Sequence, residues 1–321
     1  MTDIPDDEQK ILAEMPLHAI TAVYGEQGLR ARLAIETGQL DDAAGRQKIS
    51  EALELAGRLH AADRRQREPY INHLLRVALR IICHYGVRDT DIICAALLHD
   101  AVEDHASDLA ATGGRPGALG VLAARFGPQA AALVEAVTNP VYLPGQDADE
   151  QYRAHVAASL AASPGARVIK VSDFTDNGVG VIHTTGHKAV RLASKYAPLV
   201  PVLADLIART DTPLAPHVKV RILAQLRTAQ KRFAAIAPPA AAGPSALGLH
   251  SHARSPAVDI PVATAARLTT DYPASCGRMT LRSRLVTPVS CGCVPRYGAK
   301  QLKGGAQCHR CTGSGTRRAR S

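Results

Sequence analysis

Residues 92–104 read IICAALLHDAVED and are apolar on nearly every side of a helix until His99. A helix that lacks a polar face has to be buried among other elements of the fold. The rest of the domain must therefore surround this segment, which carries a polar cluster at its far end. Thr90 or Asp91, just before the apolar run, is the candidate N-cap.

The neighbouring segments repeat apolar residues at the spacing of a helix. Residues 49–60, for example, place Leu53, Ala56 and Leu59 on one face. No segment alternates convincingly like a strand, since the best β-branched run, 167–171, is short. The sequence therefore predicts an all-α helical bundle. Its further periodic stretches are 71–84, 118–125, 129–137, 150–162, 188–207 and 218–236.

Composition changes after residue 236, where a Pro/Ala/Gly-rich stretch begins. Residues 1–237 hold 26 Lys and Arg against 27 Asp and Glu, whereas residues 238–321 hold 12 against 2. The tail has little periodicity and few large apolar residues, so it cannot bury much of a core. We predict an N-terminal helical extension at 1–45, a globular domain at 46–237 and a basic, largely disordered tail at 238–321.

Cysteine usage and hydropathy bear on the compartment. Only two of the seven cysteines precede the tail, which does not describe a disulfide framework. No apolar run approaches the roughly 20 residues of a membrane helix, and the first ten residues are acidic. We expect a cytoplasmic protein without membrane contact.

The tail carries four closely spaced cysteines, and three interpretations of it remain open. Cys291 and Cys293 form CGC, and Cys308 and Cys311 form CHRC. A small zinc knuckle is one interpretation, although a single residue between the first pair departs from the usual spacing. Weak contact of the basic tail with RNA is another. A solvated disordered extension is favoured over both.

The polar cluster at the end of the apolar segment contains His99, Asp100, Glu103 and Asp104. On a continuous helix the spacing places His99 above Glu103, and Asp100 beside Glu103 and Asp104. Three carboxylates at the end of an apolar helix would repel one another unless a cation neutralised them. A divalent metal is the simplest such cation, with further ligands from elsewhere. A solvated surface pair is the competing interpretation of an isolated His-Asp dipeptide.

Five blocks of the sequence, in order, resemble one family. They are REPYINHLLRVALRI, IICAALLHDAVEDH, FGPQAAALVEAVTNP, VIKVSDFTDN and SKYAPLVPVL, between residues 50 and 207. They resemble the hydrolase domain of the RelA/SpoT alarmone enzymes and the stand-alone small alarmone hydrolases, which belong to the HD phosphohydrolase superfamily. The resemblance implies hydrolysis of the 3′-pyrophosphate of (p)ppGpp to GDP or GTP and pyrophosphate. Nothing after residue 208 resembles the synthetase half, so we expect degradation without synthesis.

The resemblance also implies roles for individual residues. The implied metal ligands are His73, His99, Asp100 and Asp173, and the metal is usually Mn²⁺. Glu103 and Asp104 would position and deprotonate the attacking water, and the implied substrate contacts are Arg64, Arg65, Asn177 and Tyr196. A mixed shell of imidazole and carboxylate suits Mn²⁺ or Fe²⁺. Three other histidines, His60, His84 and His155, are expected to pack within the domain instead of binding metal.

One block departs from the family pattern. The family usually reads LADRLHN where this chain reads VSDFTDN, so Phe174 and Asp176 replace an arginine and a histidine. We expect a more acidic pocket floor, which leaves the substrate open. The alternatives are an HD hydrolase acting on another nucleotide or a phosphorylated cofactor, and a catalytically silent nucleotide-binding regulator. The presence of a water-activating pair argues against silence.

Overall fold

The computed structural model describes residues 6–65, 68–180 and 186–237, and their regular secondary structure is helical apart from one short hairpin. The all-α prediction is confirmed. The predicted tail, with its candidate zinc and RNA sites, lies outside the described residues. The helices are α1 (Asp6–Glu14), α2 (Leu17–Gly38), α3 (Ala43–Leu59), α4 (Ile71–Leu79), α5 (Thr90–Leu98), α6 (Ala101–Leu109), α7 (Gly114–Phe126), α8 (Pro128–Val137), α9 (Ala148–Ala162), α10 (Pro164–Gly180), α11 (Gly186–Tyr196), α12 (Leu199–Ala208) and α13 (Pro216–Ile236).

The hairpin consists of β1 (Arg64–Arg65) and β2 (Glu68–Pro69), which pair antiparallel with Arg65 opposite Glu68. It connects the end of α3 to the start of α4. Helix α4 continues as one π-helical turn, Arg80–His84. Among the described helices, none combines the length and the apolar character that crossing a membrane requires.

Helix α5 is the buried centre of the bundle, as the apolar segment predicts. Every residue from Ile92 to Leu98 is buried, and the helix packs against α3, α4, α8 and α10. Its N-cap is Asp89, whose carboxylate accepts a hydrogen bond from the Ile92 N–H at 2.9 Å. Neither Thr90 nor Asp91 is therefore the cap, because the helix begins at Thr90, two residues before the apolar run starts at Ile92.

The polar end of this segment is a junction between two helices. Helix α5 ends at Leu98, and the backbone turns at His99 and Asp100 before α6 begins. The expectation of one continuous helix is wrong here, so helical spacing does not place Glu103 over His99. The Glu103 carboxylate instead accepts hydrogen bonds from Asn139, at 2.6 Å from its Nδ2 and 3.2 Å from its backbone N.

The N-terminal helices share the core of the bundle. Helix α2 packs against α4, and the apolar side chains of Leu12, Ile20 and Leu29 belong to the same buried cluster as those of α5. The expected boundary at residues 45 and 46 falls inside α3. The segment predicted as an extension is therefore built into the same packed structure.

One further segment differs from its predicted form, and a second confirms the prediction that a β-branched run forms no strand. The periodic stretch 188–207 divides into α11 and α12, with Pro198 preceding the second helix. The β-branched run 167–171 lies within α10 and is fully buried apart from Lys170 at 6% exposure. Burial on all sides explains its apolar, β-branched composition without a strand.

Candidate metal centre

Four side chains from three parts of the fold converge at the α5–α6 junction. His73 comes from α4, His99 and Asp100 from the junction, and Asp173 from α10. The Nε2 atom of His73 lies 3.3 Å from Asp173 Oδ1 and 3.8 Å from Asp100 Oδ2. The Nε2 atom of His99 lies 3.1 Å from Asp100 Oδ2 and 3.7 Å from Asp173 Oδ1. Side chains that are far apart in sequence thus form one compact cluster.

The outer ring nitrogens of both histidines are already engaged. His99 Nδ1 lies 2.9 Å from the carbonyl oxygen of Ala96, and His73 Nδ1 lies 2.9 Å from Asp176 Oδ2. A carbonyl and an ionised carboxylate only accept, so each Nδ1 carries the proton. With that proton on Nδ1, the Nε2 atom of each neutral ring is the one that offers a lone pair to an ion in the cluster. The buried His99 Nε2 has no hydrogen-bond partner among the described residues.

These separations fit a shared divalent ion. Donor atoms about 2.1 Å from one ion lie about 3.0–3.4 Å from one another in octahedral or tetrahedral geometry. Of the four nitrogen–oxygen separations, 3.1 and 3.3 Å fall within that range, and 3.7 and 3.8 Å exceed it by at most 0.4 Å. Donor atoms of His73, His99 and Asp173 all lie within 4.8 Å of one another. The described residues thus include a His/Asp cluster that can hold a divalent metal.

Two side chains that the sequence analysis did not single out hold the carboxylates. Tyr70 donates its hydroxyl proton to Asp100 Oδ2 at 2.7 Å, and Lys170 donates to Asp173 Oδ2 at 3.2 Å. Burial opposes the charge on Asp173, but the Lys170 ammonium, His73 and His99 together outweigh burial, so the pKa of the carboxyl lies well below its usual range. The available signals were Tyr70 in the PYINH block and the three-residue spacing of Lys170 and Asp173 on one helical face.

Asp104 lies beside the cluster on the first turn of α6. Partial burial raises the pKa of its carboxyl to about 6, and the charges of Asp100 and Glu103 add to that effect. Such a group can exchange a proton near neutral pH. Asp104 and Glu103 thus differ in their surroundings, since the Glu103 carboxylate is hydrogen-bonded to Asn139 in the α8–α9 loop.

Arg65 and Asn177 lie at the edge of the cluster. The Arg65 guanidinium donates to Asn177 Oδ1, and Asn177 Nδ2 donates to Asp173 Oδ1 at 2.6 Å. Arg65 also lies over the Tyr70 ring, 5.6 Å from its centroid. Of the four predicted substrate contacts, these two are brought directly to the site.

The other two predicted contacts lie differently. Arg64 is exposed, and its guanidinium donates to the backbone carbonyls of Ala61 and Asp63. Tyr196 is half-buried, with its ring centroid 5.7 Å from that of Phe174. Burial raises the pKa of Tyr196, and the Asp173 carboxylate contributes to this effect. Tyr196 therefore borders the cluster on the α11 side.

The expectation of an acidic pocket floor is wrong for both altered positions. The Phe174 side chain is buried at 3% exposure and packs against Tyr196 and Phe233. Asp176 lies behind His73, where Arg76 and Arg80 balance its charge at 3.0 and 3.1 Å. Helical spacing explains this, because residues three apart share a face of α10 and bring Asp176 beside Asp173.

A second group of metal-ligating side chains, His60, Asp63 and His105, has a different character. Asp63 Oδ2 lies 2.7 Å from His60 Nδ1 and 2.8 Å from His105 Nε2, and His105 Nδ1 lies 2.8 Å from Asp108 Oδ2. These are hydrogen-bond distances to carboxylates on both sides of His105. The group is a hydrogen-bonded chain that joins the end of α3 to α6. Its His105 member carried no recognisable signal in the sequence.

The chain is similar to HD-domain proteins and to guanosine-3′,5′-bis(diphosphate) 3′-pyrophosphohydrolases. A family model described as an HD domain matches residues 52–163. The human guanosine-3′,5′-bis(diphosphate) 3′-pyrophosphohydrolase MESH1 is 37% identical over 130 residues, which are 39% of this chain and 65% of that protein. The Drosophila melanogaster MESH1 is 31% identical over 133 residues, 40% of this chain and 67% of that protein. The chain thus spans slightly less than two thirds of the human relative.

A solved structure gives a weaker match. It is described as a metazoan ortholog of SpoT that hydrolyses ppGpp, with a TM-score of 0.45 and 24% identity. The match covers 59% of this chain and 97% of that one.

Proposed function

Because this chain belongs to the HD-domain family that includes the MESH1 pyrophosphohydrolases, we propose that it hydrolyses the 3′-pyrophosphate of (p)ppGpp, the alarmone of the stringent response. The products are pyrophosphate and GDP or GTP. The observation that carries the proposal is the convergence of two imidazole Nε2 atoms and two carboxylates at the α5–α6 junction.

The proposed metal ligands are His73, His99, Asp100 and Asp173, and the proposed ion is Mn²⁺. The fixed Nδ1–H tautomers and the mixed nitrogen and oxygen donors support this set. When bound, the ion lowers the pKa of a coordinated water and polarises a phosphoryl oxygen. The protein supplies preorganisation, because Tyr70 and Lys170 hold the two carboxylates before any ion binds.

Asp104 and Glu103 are proposed to activate the attacking water together. Asp104 accepts the proton, since its carboxylate lies beside the cluster on the first turn of α6 and its pKa in the metal-free protein, about 6, leaves it ionised at neutral pH. Glu103, held by the Asn139 side chain at 2.6 Å, orients the water from the other side. The hydrogen bonds from Asn139 support this positioning role.

Arg65, Asn177, Tyr196 and Arg64 are proposed to bind the nucleotide. Arg65 suits a phosphate of the substrate, because a guanidinium pairs with phosphate through two parallel hydrogen bonds. Asn177 positions Arg65 against the cluster, and the half-buried Tyr196 offers a ring face to the nucleoside. Arg64 has to leave the carbonyls of Ala61 and Asp63 before it can reach a phosphate.

A cytoplasmic location is part of the proposal. Cys83 and Cys94 are both free thiols within the described residues, and Cys94 is buried. Free thiols suit a reducing compartment.

The decisive experiment incubates Mn²⁺-loaded protein with ppGpp and identifies the products by anion-exchange chromatography. We expect ppGpp to give GDP and pyrophosphate. GDP and GTP, supplied as control substrates that lack the 3′-pyrophosphate, should remain intact. Cleavage of another phosphate ester with ppGpp untouched would favour the alternative of a different nucleotide or phosphorylated cofactor. Tight binding of ppGpp without hydrolysis, whichever divalent metal is added, would favour the alternative of a catalytically silent nucleotide-binding regulator.

A further inference from the structure

We propose that Asp176 is a positioning residue that fixes His73 as an Nε2 metal ligand through a carboxylate–imidazole hydrogen bond. The inference rests on the proposed metal site and deepens it. It assigns a role to a position where the resembling family usually has histidine, in the block VSDFTDN.

The contact between Asp176 and His73 is short and largely buried. Asp176 Oδ2 lies 2.9 Å from His73 Nδ1, on the side of the ring opposite the metal cluster. The Asp176 side chain is 7% exposed, and the His73 side chain is 1% exposed. Because the His73 ring is buried and little water reaches Asp176, the imidazole cannot flip without losing this bond to a poorly solvated acceptor.

Two guanidinium groups make the buried carboxylate tenable. Arg76 donates to Asp176 Oδ1 through Nε at 3.0 Å and to Oδ2 through Nη2 at 3.0 Å, and Arg80 Nη2 donates to Oδ1 at 3.1 Å. A buried charge is costly unless it is paired and hydrogen-bonded, and this one is both. Both carboxylate oxygens are therefore held in a fixed plane, with Oδ2 facing His73.

The arrangement joins the two helices that carry metal ligands. His73 and Arg76 lie three residues apart on α4, and Arg80 follows on the π-helical turn, so all three meet the same face of α10. Asp173 and Asp176 lie three residues apart on α10. Asp173 thus faces the metal cluster, and Asp176 holds His73, whose Nε2 atom faces the same cluster.

The two histidines of the cluster differ in the hydrogen-bond acceptor that holds the Nδ1 atom of each ring. His99 Nδ1 donates to the neutral carbonyl of Ala96, whereas His73 Nδ1 donates to a charged carboxylate. A carboxylate partner fixes the tautomer of a ligating histidine and raises its basicity, and removing such a partner typically weakens metal affinity 10- to 100-fold. We therefore infer that His73 is the stronger of the two donors, because of Asp176.

Glu68 offers a matched control, since it touches the network without touching His73. Its carboxylate accepts from Arg76 at 2.8 and 2.9 Å and from Asn72 Nδ2 at 3.1 Å. Replacing Glu68 by glutamine removes a charge from the same arginine but leaves the bond between Asp176 and His73 in place.

The test measures Mn²⁺ affinity of the full chain by calorimetry, without nucleotide, for wild type, Asp176→Asn, Asp176→Ala and Glu68→Gln. We expect affinity to fall about 10-fold in Asp176→Asn, which keeps a neutral acceptor, and about 100-fold in Asp176→Ala. Glu68→Gln should stay within about threefold of wild type. Wild-type affinity in both Asp176 variants overturns the inference and leaves the proposed function standing. A wild type that binds no divalent metal overturns both.

A second measurement serves if the Asp176 variants do not fold. Wild-type protein labelled with ¹⁵N-histidine and loaded with diamagnetic Zn²⁺ reports which ring nitrogen of each ligand carries the proton. We expect Nδ1–H for both His73 and His99, with the His73 proton shifted further downfield by its carboxylate partner. Ligation of His73 through Nδ1, or equal proton shifts for the two rings, overturns the inference.

Discussion

Tyr70 donates its hydroxyl proton to Asp100 Oδ2 at 2.7 Å while its ring stacks on His60, with centroids 4.8 Å apart and planes 13° from parallel. The phenol therefore braces the carboxylate at the α5–α6 junction from the side of the hairpin. Burial raises the pKa of the Tyr70 hydroxyl, and the neighbouring Asp100 charge adds to this effect, so the group remains a donor at neutral pH.

Replacing Tyr70 by phenylalanine should weaken the proposed metal site while preserving the fold. The ring and its stacking on His60 remain, whereas Asp100 loses its hydrogen bond. We expect Mn²⁺ affinity to fall by about 10-fold or more, as for other partners of metal ligands. Calorimetry measures the affinity, and Tyr142→Phe, at an exposed tyrosine, is the control. Equal affinity in Tyr70→Phe and wild type would contradict the prediction.

Asp100→Asn and Glu103→Gln should separate metal binding from turnover. Asp100 is a proposed ligand, so its replacement should abolish detectable Mn²⁺ binding. Glu103 is held by Asn139 outside the four-donor cluster, so Glu103→Gln should bind Mn²⁺ normally and lower kcat about 10²-fold or more. Metal content after dialysis and single-turnover hydrolysis of ppGpp measure the two effects. Equal metal loss in both variants would show that Glu103 is misassigned.

Asp104→Asn should stabilise the metal-free protein at pH 7.5 and much less at pH 5. The pKa of Asp104 is about 6 in the fold because of its burial and the charges of Asp100 and Glu103. This pKa lies above the ordinary value of an aspartate, so the folded state binds more protons than the unfolded state between pH 4 and pH 6. Asp104 therefore lowers the free energy of unfolding as pH rises through that window. Asparagine removes the penalty.

Thermal unfolding with a chelator, at both pH values, measures this effect. Asp7→Asn, at an exposed carboxylate on α1, is the control and should leave the unfolding temperature unchanged at both. A destabilised Asp104→Asn at pH 7.5 would contradict the predicted sign. Turnover should fall in the same variant, since the proposed proton acceptor is gone.

Metal should stabilise the fold by mass action. An ion that binds only the folded state contributes about 2.7 kcal/mol when its free concentration is 100 times Kd. For a domain of this size we expect the unfolding temperature to rise by roughly 5–10 °C. Thermal unfolding with chelator and with Mn²⁺ measures the shift, and His99→Ala should show none. A shift of equal size in that variant would place the binding site elsewhere.

The helical character of the domain was predictable because apolar periodicity reports which faces are buried. The surrounded position of α5 follows from a run that is apolar on all sides. The break at His99 and Asp100 was not predictable in this way, since both residues adopt right-handed backbone angles close to those of a helix. Only a small departure at Asp100, with ψ near −6°, redirects the chain.

The residues of the cluster could be chosen from the sequence, but their surroundings could not. Spacing and resemblance brought His73, His99, Asp100 and Asp173 forward as one set. The role of Asp176 was misjudged because its partners Arg76 and Arg80 lie about a hundred residues away in sequence. The Asp176 carboxylate stays ionised, but its long-range ion pairs with Arg76 and Arg80 balance its charge.

The joint between α5 and α6 holds the proposed metal ligands His99 and Asp100 and precedes the proposed water-activating pair Glu103 and Asp104. Each residue inserted into a helix rotates the residues after it by about 100°. An insertion early in α6 would change the direction of the Glu103 and Asp104 side chains around the helix axis. His99 and Asp100 precede the insertion and would keep their positions. An insertion at this position would therefore separate the two proposed roles, since it moves the proposed water-activating pair and leaves the proposed metal ligands in place.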